Sequence, residues 1–295
     1  MKKRFWAVLF ALVFCLSAAS AQGAVPVPAA GEPVFSNLNG VDVLDATMEL
    51  LRQGGVDAQS VDVLSAWVLD YNVLCQNNPV YRLAGEYAPM PEGAVDYGEE
   101  VDVYAAFAQQ WWEGAQREYP DLTARVIAYW LLRDAISIAN PLASQDWDSE
   151  GWLSSDADCI AGNPNLRLDE AQTAACFTLF HPVDVVQGAD AGEMYEAIAQ
   201  AWQERGICFA EGEAALVTVW IPDAAQCAPT HAAVLVPAQG AFLLFEKYGA
   251  LYPYQATLFA SRDEVRDYFE NWLRLAYRGF EQPAPALVLV NDQML

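Results

Sequence analysis

A histidine and a glutamate near the ends of two adjacent apolar segments are the residues whose types and spacing best suit chemistry. His231 begins a run that reaches Val236, and Glu246 closes a second run that begins at Ala241. The four residues between the runs, 237–240, predict a hairpin loop that pairs Val236 with Ala241. In that register His231 stands directly opposite Glu246, with Cβ atoms about 5 Å apart on one face of the sheet.

A carboxylate that orients an imidazole supplies two of the three parts of an acid–base nucleophile site. A satisfied polar contact at the end of a sheet and a ligand contact are the other roles open to the pair. Cys227 lies close to His231 in sequence, but it is expected at a strand edge. His181 precedes a proline at the end of a predicted helix, where a capping or surface role is expected. Spacing alone therefore leaves the nucleophile unassigned.

An acidic stretch with oxygen-bearing side chains at alternating positions before Gly151 resembles the first half of an EF-hand calcium loop. The position where such loops carry glutamate is Ala157. A solvated acidic loop is the alternative interpretation. Calcium is the only cofactor that the sequence suggests. The candidate metal ligands are Asp146, Asp148, Glu150, Asp156 and Asp158.

Apolar periodicity predicts helices in the first part of the chain, and the most apolar of them covers about Leu122–Ile138. Its core, Val126–Leu132, is continuously hydrophobic or aromatic and is expected to be buried on most sides. A capping box beginning at Ser261 predicts a late helix. Further helices are expected around Asp169–Phe180 and Gly192–Arg205.

Short apolar runs follow residue 214 and predict antiparallel strands, including Tyr254–Phe259 and a last one at Ala286–Val290. The sequence therefore predicts one α+β domain over residues 34–295. Its helical half, 34–205, contains the buried central helix, which packs on a C-terminal antiparallel sheet within 206–295.

The N-terminus has the three parts of a secretory signal peptide: basic residues at 2–4, an apolar stretch, and small residues before a cleavage point after Ala21. Residues 22–33 are predicted to be a flexible lead-in. No later stretch is long and uncharged enough to span a membrane. The mature chain is therefore predicted to be secreted or extracytoplasmic.

The composition limits the partners of the mature chain. Loss of the basic residues at 2–4 takes the formal charge from −24 to −27, which disfavours nucleic acid and anionic membranes as partners. A hydrophobic content of 54% and ten tryptophans suit a sizeable core. Export permits disulfides, and Cys159–Cys176 and Cys208–Cys227 are the expected pairs, with Cys75 left over.

Four segments carry a family resemblance: FSNL at Phe35–Leu38, DYN at Asp70–Asn72, the hairpin Thr230–Lys247, and PYQATLFAS at Pro253–Ser261. Their order and rough spacing resemble the bacterial exported proteins of domain-of-unknown-function family 4300 along nearly the whole mature chain. That family brings no established biochemical role.

The resemblance implies an Asn-Cys-Arg triplet at the start of the central apolar helix. A cysteine there, followed by a histidine strand and an acidic residue, resembles the papain-like site of peptidoglycan peptidases and transglutaminase-like proteins. Such a thiol is activated by the helix N-terminus and the imidazole. In this chain the triplet is Thr123-Ala124-Arg125, so Ala124 takes the place of the nucleophile. A shifted alignment, a silent relative and a different nucleophile are the competing explanations.

The sequence therefore predicts a secreted, envelope-associated protein with a degenerate cysteine-peptidase-like site, acting as a binding or scaffolding module and more silent than active. A peptide or a cell-envelope ligand is the expected partner, in a groove between the helix of Ala124 and the hairpin of His231 and Glu246. One alternative is an active hydrolase or acyl-transferase of peptide or amide bonds with an unidentified nucleophile. Another is a calcium-binding envelope protein.

Overall fold

The structure, a computed structural model, describes residues 25–76, 83–97, 103–278 and 286–295. The predicted signal peptide, its cleavage point after Ala21 and the first residues of the lead-in lie outside the described residues. Residues 77–82, 98–102 and 279–285 also lie outside them. Within the lead-in, Val25 packs against the larger of the two hydrophobic cores, and the backbone N–H of Gly31 donates to Glu264 Oε1 at 3.1 Å.

An antiparallel sheet forms the centre of the fold. The strands of the described residues are β1 Val34–Ser36, β2 Ala88–Pro89, β3 Ile136–Ile138, β4 Val183–Asp184, β5 Ile207–Phe209, β6 Ala215–Asp223, β7 Gln226–Ala238, β8 Ala241–Lys247, β9 Tyr254–Phe259, β10 Leu287–Val290 and β11 Gln293–Met294. The main sheet has the order β11-β10-β6-β7-β8-β9-β1-β2, and β4 pairs with the beginning of β7. Strands β3 and β5 form a separate ribbon.

Eight helices lie in the described part of the chain. They are α1 Val41–Gln53, α2 Ala58–Gln76, α3 Val103–Gln109, α4 Ala124–Leu132, α5 Ser154–Gly162, α6 Glu170–Phe180, α7 Ala191–Arg205 and α8 Asp263–Ala276. None of these helices is long and apolar enough to cross a membrane. The chain is therefore a mixed α+β protein.

The sheet is covered on both faces, which makes three layers. We call the side packed against α1, α2 and α4–α7 the α4 face, and the opposite side, packed against α8, the α8 face. In β7 the side chains of Ala232 and Val234 enter the core of the α4 face, whereas Ala233 and Leu235 enter the core of the α8 face. This alternation follows from the pleat of a strand, whose successive side chains point to opposite sides.

Helix α4 is buried because its residues Val126–Leu132 are apolar or aromatic on every side, as the sequence predicted. Thr123 caps its start by accepting a hydrogen bond from the backbone N–H of Val126 at 3.3 Å. The predicted end near Ile138 is wrong. The helix ends at Leu132, and residues 136–138 are a strand whose alternating isoleucines pair with β5.

The start of α8 also differs from the prediction. The N-cap residue is Arg262 rather than Ser261, and it makes no side-chain capping bond. Glu264 nevertheless reaches back over the helix start, where Oε2 accepts from the backbone N–H of Ala260 at 3.0 Å. A carboxylate therefore still serves the exposed N–H groups at this end, as in a capping box.

The β7–β8 hairpin has a shorter loop than predicted. Ala238 pairs with Ala241, and only Gln239 and Gly240 turn the chain, with φ of 51° and 88°. Positive φ at both positions is the signature of the tight turn that matches strand twist. The register is therefore shifted by two residues from the predicted pairing of Val236 with Ala241, which leaves the face of every side chain unchanged.

All five cysteines of the described residues are free thiols. The predicted disulfides Cys159–Cys176 and Cys208–Cys227 are therefore not formed. Cys75, Cys159, Cys176 and Cys227 pack as small apolar side chains in the core of the α4 face, whereas Cys208 is exposed on β5. Burial raises the pKa of the Cys75 thiol to about 12 and that of Cys227 to about 11, so both thiols stay protonated near neutral pH.

Candidate functional site

The predicted histidine–glutamate contact is present, although the register that brings it about is different. His231 Nε2 lies 2.7 Å from Glu246 Oε2, and both side chains are about 1% exposed. Direct pairing of β7 with β8 ends at Val234 and Phe245, so the two residues meet diagonally beyond it. Diagonal neighbours on one face lie within reach of long side chains.

Helix α8 closes over the pair. The rings of Trp272 and Phe269 lie 4.8 and 5.6 Å from the imidazole, measured between ring centroids. The hydroxyl of Tyr268 donates to Glu246 Oε1 at 2.5 Å. Each carboxylate oxygen of Glu246 therefore has at least one partner, and an apolar wall covers the imidazole.

A buried polar network continues from Glu246 across the sheet. The amide of Gln255 donates to Glu246 Oε1 at 3.2 Å and to Thr257 Oγ1 at 3.0 Å. Its carbonyl oxygen accepts from the hydroxyl of Tyr97 at 2.8 Å, and Asn37 Nδ2 donates to the same hydroxyl at 2.6 Å. These side chains are all buried and tie β1, β8 and β9 together.

The segments that carried the family resemblance meet at this network. Asn37 comes from FSNL, Glu246 from the hairpin, and Gln255 from the Pro-Tyr-Gln segment. Asn72 of DYN joins through its Nδ2, which donates to the carbonyl of Leu38 at 2.9 Å. Motifs more than 200 residues apart therefore build one buried assembly.

The phenols in the network are donors. Burial raises the pKa of Tyr268 and Tyr97, and the nearby carboxylate of Glu246 acts in the same direction. Both hydroxyls therefore keep their protons throughout the physiological range. The assembly therefore surrounds Glu246 with hydrogen-bond partners, which is the arrangement expected of a buried, satisfied acidic group.

The imidazole and residues Val126–Leu132 of helix α4 lie on opposite faces of the sheet. Helix α4, which begins at Ala124, packs on the α4 face with Ala232 and Val234, whereas His231 points to the α8 face. The predicted groove between the helix start and the His231–Glu246 hairpin is therefore not confirmed. The physical reason is the alternation of side chains in β7, where neighbours face opposite layers.

Cys227 is also not a partner of His231, because its side chain is part of the core of the α4 face. Within the described residues, the imidazole of His231 forms its hydrogen bond with Glu246, and no hydroxyl or thiol is hydrogen-bonded to the ring. His181 is the C-cap residue of α6, as expected from its proline, and its ring nitrogens lie 2.8 and 3.0 Å from the carbonyl oxygens of Pro182 and Asp146.

The residues flanking Ala124 have a structural role. Arg125 Nε lies 2.6 Å from Asp156 Oδ2, and its two other nitrogens donate to the carbonyls of Pro229 and Trp152 at 2.8 and 3.0 Å. Thr123 donates from its hydroxyl to the same Asp156 carboxylate. This contact set joins the start of α4 to α5 and to the beginning of β7.

A buried ion pair lies on the α4 face. Lys247 Nζ is 2.9 Å from Asp121 Oδ2 and stacks over the ring of Tyr71 at 3.8 Å and that of Tyr254 at 4.4 Å. Burial lowers the pKa of Lys247, and the charge of Asp121 opposes that shift. Sequence analysis missed this pair. The available signal was a lysine inside an apolar run in a chain whose other lysines are Lys2 and Lys3.

The predicted calcium ligands are not gathered. Asp156 is held by Arg125, and Asp148 Oδ2 accepts from the backbone N–H of Trp152 at 2.7 Å, which is a local turn contact. In the described ranges of the chain, no group of three acidic, histidine or cysteine side chains is placed to hold a metal ion. The acidic stretch instead forms the turn and helix α5 that support Arg125.

The fold and these sites define a class: a three-layer α+β protein with one buried pair of polar or charged side chains on each face of its antiparallel sheet. Residues 34–295 match the family model described as a domain of unknown function (DUF4300), and the chain belongs to that family. No curated protein and no solved structure matches the chain.

Proposed function

We propose that this protein is a secreted, catalytically silent binding or scaffolding protein of the cell envelope. The observation that carries the proposal is the closure of the His231–Glu246 pair between the sheet and α8, on the face opposite to the one that packs against helix α4. A general base must lie within hydrogen-bond reach of the proton that it removes. An imidazole covered by Trp272 and bonded to Glu246 serves the sheet rather than a substrate.

The cellular part of the proposal rests on sequence. The N-terminal pattern favours export, and an acidic chain of formal charge −24 favours neutral or cationic envelope ligands such as peptides over nucleic acid. The papain-like arrangement is not part of the proposal, because its helix and its acid–base pair face different layers. A domain whose acid–base pair is buried in this way suits binding without turnover.

Chemical probes test catalytic silence directly. The purified full chain and its His231→Gln variant are treated with a fluorophosphonate for activated hydroxyls and with iodoacetamide for activated thiols, and labelled sites are mapped by mass spectrometry. We expect identical labelling of both proteins, with iodoacetamide reacting at the exposed Cys208. A hydroxyl or thiol whose labelling disappears in His231→Gln would overturn the proposal in favour of a hydrolase or acyl-transferase.

Restoring the thiol gives a second test. In a Cys208→Ser background, Ala124→Cys places a thiol at the start of α4, and its iodoacetamide rate is compared with and without His231→Gln. Because the imidazole faces the other layer, we expect the two rates to agree. A rate that falls severalfold without His231 would show that the helix start and the imidazole communicate.

A further inference from the structure

A cavity of about 300 Å³ lies away from both buried pairs, between α7, the start of β5 and the β10–β11 turn. Tyr195, Ile198 and Trp202 of α7 form one wall, and Leu289 forms part of the other. Its size is at the lower end of the range of pockets that hold small molecules. The function proposed above does not involve this cavity.

Packed aromatic rings form the back wall of the cavity. Trp202 is 3% exposed and packs against Phe209 and Trp220, with ring centroids 5.4 and 6.1 Å apart.

The charge of the cavity selects the kind of ligand. Asp292 stands at its rim, and the hydroxyl of Tyr195 donates to the backbone carbonyl of Asp292 at 3.1 Å, which anchors the turn. None of the described residues that line the cavity is basic. An anionic ligand would meet a carboxylate and a strongly acidic chain, whereas a cation would meet the carboxylate and two aromatic rings.

We infer that this cavity binds a small organic cation, with an apolar body against Ile198 and Trp202 and an amine directed to Asp292. The inference deepens the proposed binding role by naming a site and a ligand class, and it rests on that role. The site requires no chemistry from the protein: recognition comes from apolar burial, aromatic faces and one carboxylate.

Cys208 provides a built-in reporter of this site. It lines the cavity, and it is the exposed thiol among the described cysteines, the other four being buried. In thiol–disulfide exchange its thiolate attacks a probe disulfide, forms a mixed disulfide with the protein, and releases the other half of the probe as a thiol. At equilibrium with excess 2-mercaptoethanol, the fraction of each adduct measures how well its probe is held.

The experiment uses three acyl-cysteamine disulfides that share one phenyl ring and differ only in a para aminomethyl, hydroxymethyl or carboxylate group. Adducts on the full chain are quantified by mass spectrometry and assigned to Cys208 by peptide mapping. We expect the amine adduct to exceed the carboxylate adduct about fivefold, the size of one partly screened charge contact. Asp292→Asn should bring that ratio close to one.

A matched pair of variants separates the cavity from the thiol. Ala199→Leu fills the cavity and should reduce the adducts of all three probes, whereas Ala197→Leu, on the same helix but lining a different cavity, should leave them unchanged. Melting temperatures and the reaction of Cys208 with 2-hydroxyethyl disulfide verify folding and thiol access in each variant. Equal adducts for the three probes, or adducts insensitive to Ala199→Leu, would overturn the inference.

The two proposals fail separately. The adduct ratios do not depend on His231. Equal adducts for the three probes would therefore not affect the labelling test of catalytic silence. Conversely, His231-dependent labelling would refute silence even if the amine preference at Cys208 were confirmed.

Discussion

Glu246 and Lys247 are adjacent in β8, yet their side chains end in two buried polar clusters on opposite faces of the sheet. Glu246 meets His231 under α8, and Lys247 meets Asp121 beside α2 and α4. Strand β8 lies inside the sheet and is covered on both faces, so the two clusters lie back to back across it. Stability should therefore be unusually sensitive to this dipeptide.

Replacing Glu246 with leucine should destabilise the protein strongly. The change leaves His231 and the hydroxyl of Tyr268 without their acceptor in the interior, and we expect the free energy of unfolding to fall by about 3 kcal/mol. Urea denaturation measures it. Glu270→Leu, at an exposed position of α8, is the matched control and should change stability little. If Glu246→Leu lowers the free energy of unfolding by less than Glu270→Leu does, the network makes no net contribution to stability.

The Lys247–Asp121 pair should behave as a coupled unit. Lys247→Met leaves the buried Asp121 without its countercharge and with only the backbone N–H of Leu251 as a donor, so we expect a loss of about 3–5 kcal/mol. The double variant Lys247→Met/Asp121→Leu should lose less than the sum of the single changes. The exposed pair of Arg52 and Asp62 is the control, since its single changes should cost about 1 kcal/mol or less. Strict additivity at Lys247 and Asp121 would contradict the ion pair.

Alkaline pH should destabilise the protein through its buried thiols. The folded-state pKa of Cys75 is raised from 9.0 to about 12, so the unfolded thiol loses its proton first. Its contribution is complete below pH 9 and is lost as the pH rises towards 12. Lys247, whose pKa is lowered, acts in the opposite sense, because the unfolded chain binds its proton more tightly.

Comparing unfolding free energies of wild type and Cys75→Ala between pH 8 and pH 11 isolates the thiol, since the lysine is common to both. Above pH 9 the wild type should lose up to about 1.4 kcal/mol per pH unit more than the variant. Cys208→Ala, at the exposed thiol, should retain the wild-type slope. Parallel curves for wild type and Cys75→Ala would refute the buried-thiol assignment.

Millimolar calcium should leave the melting temperature unchanged, because Asp156 is occupied by Arg125 and Asp148 by a backbone N–H. Asp156→Asn, in contrast, should lower stability without any calcium, since it weakens the contact that joins α4, α5 and β7. Calorimetry and thermal melts with calcium or a chelator check both statements. A calcium-dependent rise in melting temperature would revive the EF-hand interpretation.

The sequence predicted much of this architecture, because strong apolar periodicity survives tertiary packing. Strand β9 has the predicted bounds, and α6 and α7 begin within a residue of their predicted starts. His231 and Glu246 were correctly placed on one face even though the loop was misjudged, since a shift of two residues preserves side-chain alternation.

The sequence could not show which layer of helices covers that face. Strands β7 and β8 are buried on both sides, so they read as continuous apolar runs without the polar alternation that marks a solvent face. Nothing in such a run distinguishes the layer of α4 from that of α8. The partners Gln255 and Tyr268 come from other elements, and they become visible as partners only once the sheet order is known.

Lys247 is the sole lysine beyond position 3, and it is fully buried. The folded body of this protein therefore presents no primary amine to its surroundings, and arginine guanidinium groups carry the surface positive charge. Reagents and enzymes that acylate a lysine side chain therefore find no exposed target on the part of the chain that the structure describes.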